Sequence, residues 1–387
     1  MKLKTLPIFL AFLCMGFGDA VNSFVGKAKA HFELGNFEAQ FVAFAGFIMF
    51  GVLSIPMGII QDRIGRKKTL LIGLAVAFIG VITVMLAGVN DFYVFLSTIL
   101  LLGAGATILQ VSGNPIMRDV SDEGAYSSNL SLGQSIKAIG SFTAPVFFFL
   151  AASFGLSEAD SWTYLFPIFA VAIGLSFVSV LGLKIEEKKS DTKAPSIFSC
   201  IALLGNPYVL LMTLGIFLYV GAEASVANGM PIYFNQKFAV DPGIANQYII
   251  YFYVAIMVAR FAGAAILRMI SPKKFLILTS ILTMLGFAML LPEQKMLSTI
   301  ALFVIALGYA NIFPLIFSMA IDRMPSKSNE LSGLMITAIV GGAFVPLLMG
   351  KLADMTSNLI GFAVPFVCVV YILLLALFAK TSRVENS

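Results

Sequence analysis

Residues 58–68 read Gly58-Ile59-Ile60-Gln61-Asp62-Arg63-Ile64-Gly65-Arg66-Lys67-Lys68, a short charged turn between apolar runs near 38–60 and 69–87. At about 1.5 Å per residue in a helix, runs of about 20 residues span a hydrocarbon layer roughly 30 Å thick. The stretch therefore reads as the tip of a helical hairpin lying at a membrane surface. Gly65 permits the tight turn, and Arg66-Lys67-Lys68 anchors it at anionic headgroups. Asp62 ends the first helix and can cap, or pair with charges on, a neighbouring span. Such a turn can latch one conformation and release in another. Asp62, Arg63, Gly65 and Arg66 are thus candidate gate residues. The plainer alternative is a basic loop that only sets topology.

The pattern repeats along the chain. Of 387 residues, 59% are hydrophobic and 12% charged, against about 45–50% and about 25% in soluble domains. That is too much apolar surface for one globular core, and it excludes a soluble enzyme or a nucleic-acid binder. Apolar runs lie near 5–27, 38–60, 69–87, 91–117, 127–152, 161–184, 207–235, 243–269, 273–291, 296–321, 327–350 and 359–379. With the N-terminus inside, 18 of the 25 Lys and Arg residues fall on the inner side, among them Lys2, Arg63, Arg66, Lys188, Lys273 and Arg323. That asymmetry places both termini in the cytoplasm. The net charge of +5 thus reports topology rather than a nucleic-acid partner. The first run follows Lys2 and Lys4 like a secretory signal, but Asp19 interrupts it and its removal would leave an odd number of spans; it reads as a retained helix. Cys14, Cys200 and Cys368 form no CxxC pair and read as buried thiols, with no metal site or cofactor implied.

The longest polar connection, residues 185–204, holds Glu186-Glu187-Lys188-Lys189-Ser190-Asp191 and divides the spans six and six. The expected domains are 1–184, a linker 185–204, and 205–387. Internal similarity supports the division. At an offset of 200, Ser128, Asn129, Gly133, Ile136, Ala138 and Ile139 recur as Ser328, Asn329, Gly333, Ile336, Ala338 and Ile339. Pro145 recurs one place later as Pro346. Parallel repeats of six helices with a midplane site between them are a secondary-transporter pattern.

Ionisable residues at bilayer depth are costly and face a cavity or a partner. Asp19, Lys137, Glu223 and Arg260 are such residues. Asp19, Asn22, Ser23 and Gly26 share one helical face, as do Thr107, Gln110 and Asn114 ahead of Pro115. Gln134, Lys137 and Ser141 mark a third stripe, and Asn311, Pro314 and Ser318 a fourth. Lys137 needs a counter-charge, which Asp19 or Glu223 can supply, either as a structural pair or as a charge used in coupling or in holding an anion. Arg260 lies nearer the inner end, as a snorkelling side chain or a gate ion pair. Gln110, Asn114, Gln134 and Asn311 offer the donors and acceptors that replace water around hydroxyl groups, or else glue between helices. Tyr219, Tyr251 and Tyr309 offer flat faces for a sugar ring. The single histidine, His31, lies outside the runs, and no HExxH, GxSxG or Walker motif occurs.

The turn at 58–68 matches the G-x-x-x-D-R-x-G-R-K-K signature of the major facilitator superfamily. Thr107-Ile108-Leu109-Gln110-Val111-Ser112-Gly113-Asn114-Pro115 resembles the fourth helix of its fucose:proton symporter family. So do the stretches from Gly215 to Glu223 and from Ile339 to Pro346, and Phe32-Glu33-Leu34 and Gly350-Lys351-Leu352-Ala353-Asp354 also fit. The likeness is greatest to the glucose/galactose and N-acetylglucosamine branch, which similarly has Gln where the fucose transporter has Glu. It implies twelve helices in two pseudo-symmetric six-helix bundles and cation-driven hexose uptake through a central cavity, with Asn114, Gln134 and Glu223 on matching positions. Two departures stand out. The family's Asn-Asp pair in the first helix is Val21-Asn22 here, with Asp19 one turn earlier. Lys137 replaces an Asn.

These readings together expect an all-α transporter, not an enzyme, of the bacterial inner membrane. It would be a monomer in the lipid bilayer, moving a hexose or related sugar with a proton or sodium. Asn22, Gln110, Asn114, Gln134, Lys137, Glu223 and Asn311 would contact substrate, with Asp19, Lys137 and Glu223 as the charged centre. Two alternatives remain: a passive uniporter in which Lys137 replaces the coupling cation, and a carrier of an acidic sugar or organic anion.

Overall fold

Each of the twelve apolar runs carries α-helix in the computed structural model, which describes residues 6–24, 28, 31–33, 36–122, 124–153, 161–183, 197–240 and 242–378. In chain order the long helices are α1 (Leu6–Asp19), α2 (Asn36–Ile64), α3 (Arg66–Ala87), α4 (Phe92–Val120), α5 (Tyr126–Ser153) and α6 (Leu165–Leu181). They continue as α7 (Pro207–Phe238), α8 (Pro242–Ile266), α9 (Pro272–Ala288), α10 (Lys295–Tyr309), α11 (Ile312–Arg323), α12 (Ser328–Thr337), α13 (Gly341–Met355) and α14 (Ala363–Phe378). Among the described residues, seven helical stretches are long and apolar enough by themselves to cross a membrane. Helices suit that medium because they satisfy every backbone polar group internally. Side-chain caps start two of them: Asp91 accepts from the amides of Tyr93 and Val94, at 2.7 and 3.0 Å, and Asn206 from that of Tyr208 at 2.9 Å. Most of the linker, residues 184–196, lies outside the described residues; a short helix, Ile197–Ala202, precedes α7.

Two of the runs expected as single helices break in mid-span. The tenth breaks between α10 and α11, and the eleventh at a 3₁₀ turn, Ala338–Val340. Proline explains the first break. Pro314 has no N–H, so the carbonyl four residues earlier, Ala310 O, loses its helical donor. Arg260 Nε supplies one at 2.8 Å. The same solution recurs on α4, where Pro115 frees Val111 O. Ser332 Oγ donates to that carbonyl at 2.7 Å and Gln61 Nε2 at 3.4 Å.

The chain forms two compact units. The first comprises Met1–Asp122, Ile136–Cys200 and Ser328–Thr337, and the second Glu123–Ser135, Ile201–Lys327 and Ala338–Ser387. Residues 328–337, α12, therefore belong with the first-half helices, and 123–135 with the second-half ones. These are the two segments related by the offset of 200.

Glycine sets the closest helix contacts of the first unit, as small residues do where no hydrophobic drive pulls helices together in lipid. A Cβ at Gly140 would overlap Leu13 O, and one at Gly16 would overlap Lys137 O. So α1 and α5 touch backbone to backbone. A Cβ at Gly58 would lie 2.9 Å from Asn329 O, and one at Gly333 would lie 2.7 Å from Ser54 O, so α2 and α12 do the same. Gly140→Val is expected to destabilise the protein by about 1–3 kcal/mol through overpacking. Thermal unfolding of the purified protein checks this, and an unchanged midpoint would show that the helices can part without cost.

Candidate functional site

In the first unit the α1–α5 crossing sets up an ion pair. Gly16 lies three residues before Asp19 and Gly140 three after Lys137, so the glycine contact holds their side chains close. Lys137 Nζ is 2.8 Å from Asp19 Oδ2, with the side chains 13% and 29% exposed. Ser141 Oγ donates to the same Oδ2 at 3.1 Å. Of the two carboxylates considered for Lys137, Asp19 is its partner. The helix ends at Asp19 and continues as a 3₁₀ turn, Ala20–Ser23. The regular stripe expected beyond Asp19 is thus interrupted; the side chain of Asn22 lies outside the described residues.

The α4 stripe is fully enclosed. Gln110 is 1% exposed and Asn114 0%. Thr107 turns its hydroxyl back onto Gly103 O at 2.8 Å, the usual behaviour of threonine in a helix. Gln110 differs: neither Oε1 nor Nε2 has a hydrogen-bond partner among the described residues. Leaving a buried polar group unmatched costs about 1–3 kcal/mol. Gln110 bears that cost at both atoms of its carboxamide.

The second unit builds a separate polar cluster. Arg260 points inward, onto Ala310 O and, from Nη1 at 3.5 Å, onto Gln134 O, rather than snorkelling to the membrane edge. Gln134 itself is buried. The hydroxyl of Tyr219 feels both Glu223 and Arg260 but makes no hydrogen bond of ordinary geometry among the described residues. Its ring meets Tyr309 edge-on at 5.9 Å between centroids. The Tyr309 hydroxyl and Asn311 Oδ1 also lack partners there. Asn311 Nδ2 donates to Ala259 O at 3.0 Å, and its carboxamide occupies the space a Cβ on Gly263 would need. Tyr251 lies exposed and hydrogen-bonds Gln247 at 3.3 Å.

The turn at 58–68 closes a third site, also within the first unit. Gly65 has φ +94°, a value glycine adopts without the penalty other residues bear. It aims the first residue of α3, Arg66, at three partners. The guanidinium pairs with the Asp119 carboxylate, donates from Nε to Asn329 Oδ1 at 2.8 Å, and from Nη2 to Ser328 Oγ at 2.5 Å. Asn329 Nδ2 then donates to Asp62 Oδ1 at 2.7 Å. Asp62 thus sits at the start of α12, where a helix favours negative charge. Arg63 is exposed. Asp119, Ser328 and Asn329 were not singled out as functional from sequence. The signal for two of them was present, since Ser328 and Asn329 belong to the internal repeat; Asp119 carries no local signal.

The comparisons with known proteins bear on this arrangement. Residues 8–342 match the Major Facilitator Superfamily profile. The chain belongs to the major facilitator superfamily. It is therefore a membrane-spanning transporter protein rather than an enzyme. Among relatives, the glucose/galactose transporter of Brucella abortus is 29% identical over 96% of this chain and 93% of its own. The L-fucose-proton symporter of Escherichia coli is 22% identical over 90% and 86%. The crystal structure of the superfamily transporter FucP in the outward conformation superposes with a TM-score of 0.83 at 20% identity, covering 98% of this chain and 100% of that one. That likeness establishes the fold.

Proposed function

We propose that this transporter carries a hexose or related sugar across the bacterial inner membrane by alternating access, with both termini cytoplasmic, as a monomer coupled to a proton or sodium. The observation that carries the reading is Gln110, a fully buried carboxamide with no partner among the described residues, on a stretch that resembles sugar transporters. Carboxamides and tyrosine hydroxyls are the groups that replace water around a sugar, and Tyr219, Tyr309 and Asn311 add more of them. The names of the glucose/galactose and fucose relatives point to the same substrate class. Asp62, Arg66, Asp119 and Asn329 act as the cytoplasmic latch of the cycle.

A second reading, passive uniport, is favoured by one observation. Asp19 already holds a cation, Lys137, at 2.8 Å, so it does not need one from solution. Glu223 is then a candidate acid for coupling. The same pair speaks against an anionic substrate, because a ligand carboxylate would have to displace Asp19 from Lys137.

Uptake of labelled glucose, galactose and N-acetylglucosamine into proteoliposomes, with and without an imposed proton or sodium gradient, tests both readings. Accumulation above equilibrium establishes coupling; saturable equilibration and counterflow without accumulation establish uniport. Gln110→Leu is expected to raise KM for the carried sugar by about three- to tenfold, the worth of one or two hydrogen bonds. Failure of any neutral sugar to enter, alongside uptake of uronates, would overturn the hexose reading.

A further inference from the structure

The two halves open their third helix with the same basic pair and give it different neighbours. In the first unit α3 begins Arg66-Lys67-Lys68. Arg66 is engaged by Asp119, Ser328 and Asn329, and Lys67 donates to Leu181 O at 2.8 Å. In the second unit α9 begins Pro272-Lys273-Lys274 after Ser271, and these residues border a cavity of about 420 Å³. The adjoining helix ends differ in order as well. The end of α4 reads Arg118-Asp119 and presents a carboxylate to Arg66; the end of α11 reads Asp322-Arg323, and both residues line the cavity.

The chemistry of the walls selects an anion. Lys273, Lys274 and Arg323 outnumber the single carboxylate, Asp322. Arg323 is held in place, its guanidinium 4.0 Å from the centroid of the Tyr208 ring. Tyr208 is fixed in turn by its hydroxyl, which donates to Met319 O at 3.2 Å. The first turn of α9 also faces this region, and Ser271 makes no side-chain cap there, so the positive helix end adds to the field. The cavity is of ligand size and consists of residues that the transport reading does not use.

We propose that this cavity binds a phosphate ester, its phosphoryl oxygens taken by Lys273, Lys274 and Arg323. The phosphate belongs either to an anionic lipid headgroup or to a soluble phosphomonoester. The binding claim does not depend on the substrate assignment or on the orientation of the chain; only the side of the membrane on which it occurs does.

The test uses the full-length protein purified in detergent, so its outcome is separate from that of sugar uptake. Native mass spectrometry is run with phosphatidylglycerol, phosphatidylcholine and sn-glycerol 3-phosphate. Each basic side chain at a membrane surface is worth about 1 kcal/mol toward an anionic lipid, so phosphatidylglycerol should be retained over phosphatidylcholine by roughly tenfold or more. Lys273→Gln/Lys274→Gln/Arg323→Gln should lose that preference. Lys274→Gln alone, at an exposed position, should lower it several-fold without endangering the fold, and Lys237→Gln, outside the cavity, should leave it unchanged. Displacement of phosphatidylglycerol by sn-glycerol 3-phosphate identifies the soluble ester as the source; retention in its presence identifies the lipid. Equal lipid retention by wild type and variants, with no binding of sn-glycerol 3-phosphate to the wild type, overturns the proposal.

Discussion

Lys137→Asn is expected to cut sugar uptake by at least about tenfold, a loss of roughly 1.4 kcal/mol. The cause is the Asp19 carboxylate, whose 2.8 Å partner is removed. Breaking a buried pair costs about 3–5 kcal/mol because the other charge is left uncompensated. The partial exposure of Asp19 lowers that figure here, which is why tenfold is a lower bound. Adding Asp19→Asn to Lys137→Asn should restore part of the lost uptake, since no uncompensated charge is then left of the pair. If the double variant equilibrates sugar but never accumulates it, while the wild type accumulates it, Asp19 is part of the coupling device. Uptake by Lys137→Asn that matches wild type would show that the pair is inert in transport.

Arg66→Gln is expected to lower the transport rate by about a hundredfold and to loosen α12. The guanidinium makes three contacts, to Asp119, Ser328 and Asn329. Hydrogen bonds to charged groups contribute about 1.5–3 kcal/mol each, and the substitution also leaves Asp119 without its cation. The consequence is local first. Amide exchange over residues 328–337 should quicken, because α12 would retain only the Asn329–Asp62 and Ser332–Val111 hydrogen bonds from this set. Arg66→Lys should restore a charge for Asp119 but not the fork that reaches Asn329 and Ser328 together, and so fall between. Wild-type exchange and transport in Arg66→Gln would show that the turn at 58–68 is only a basic loop.

Most of the helical layout was legible in the sequence because lipid demands it: a run of about 20 apolar residues has few other options. The break at Ala310–Asn311 was half legible. Pro314 announces a lost hydrogen bond, but the donor that replaces it, Arg260, lies on another helix. Lys137 and Asp19 were legible as a charge problem, since both fall at mid-membrane depth, while the choice of Asp19 over Glu223 required the approach of α1 to α5. That approach depends on Gly16 and Gly140, two glycines with nothing in the local sequence to set them apart from the chain's 33. Gln110 was marked by its helical spacing with Thr107 and Asn114. Its lack of partners, the feature that sets it apart, is a property of its surroundings. Asp119 was illegible for a related reason: an acid at a helix end reads as solvated until a cation from another helix is brought to it.

The sharing of strips between the two compact units bears on how such a chain tolerates being cut. A break anywhere in 185–204 leaves two fragments, and neither contains the whole of either unit: residues 328–337 of the later fragment complete the earlier one, and residues 123–135 of the earlier complete the later. Each fragment carries the patch that its counterpart lacks. Such a chain behaves as a self-complementing pair joined for convenience, and a fragment made without its mate remains unfinished at the face where that strip belongs.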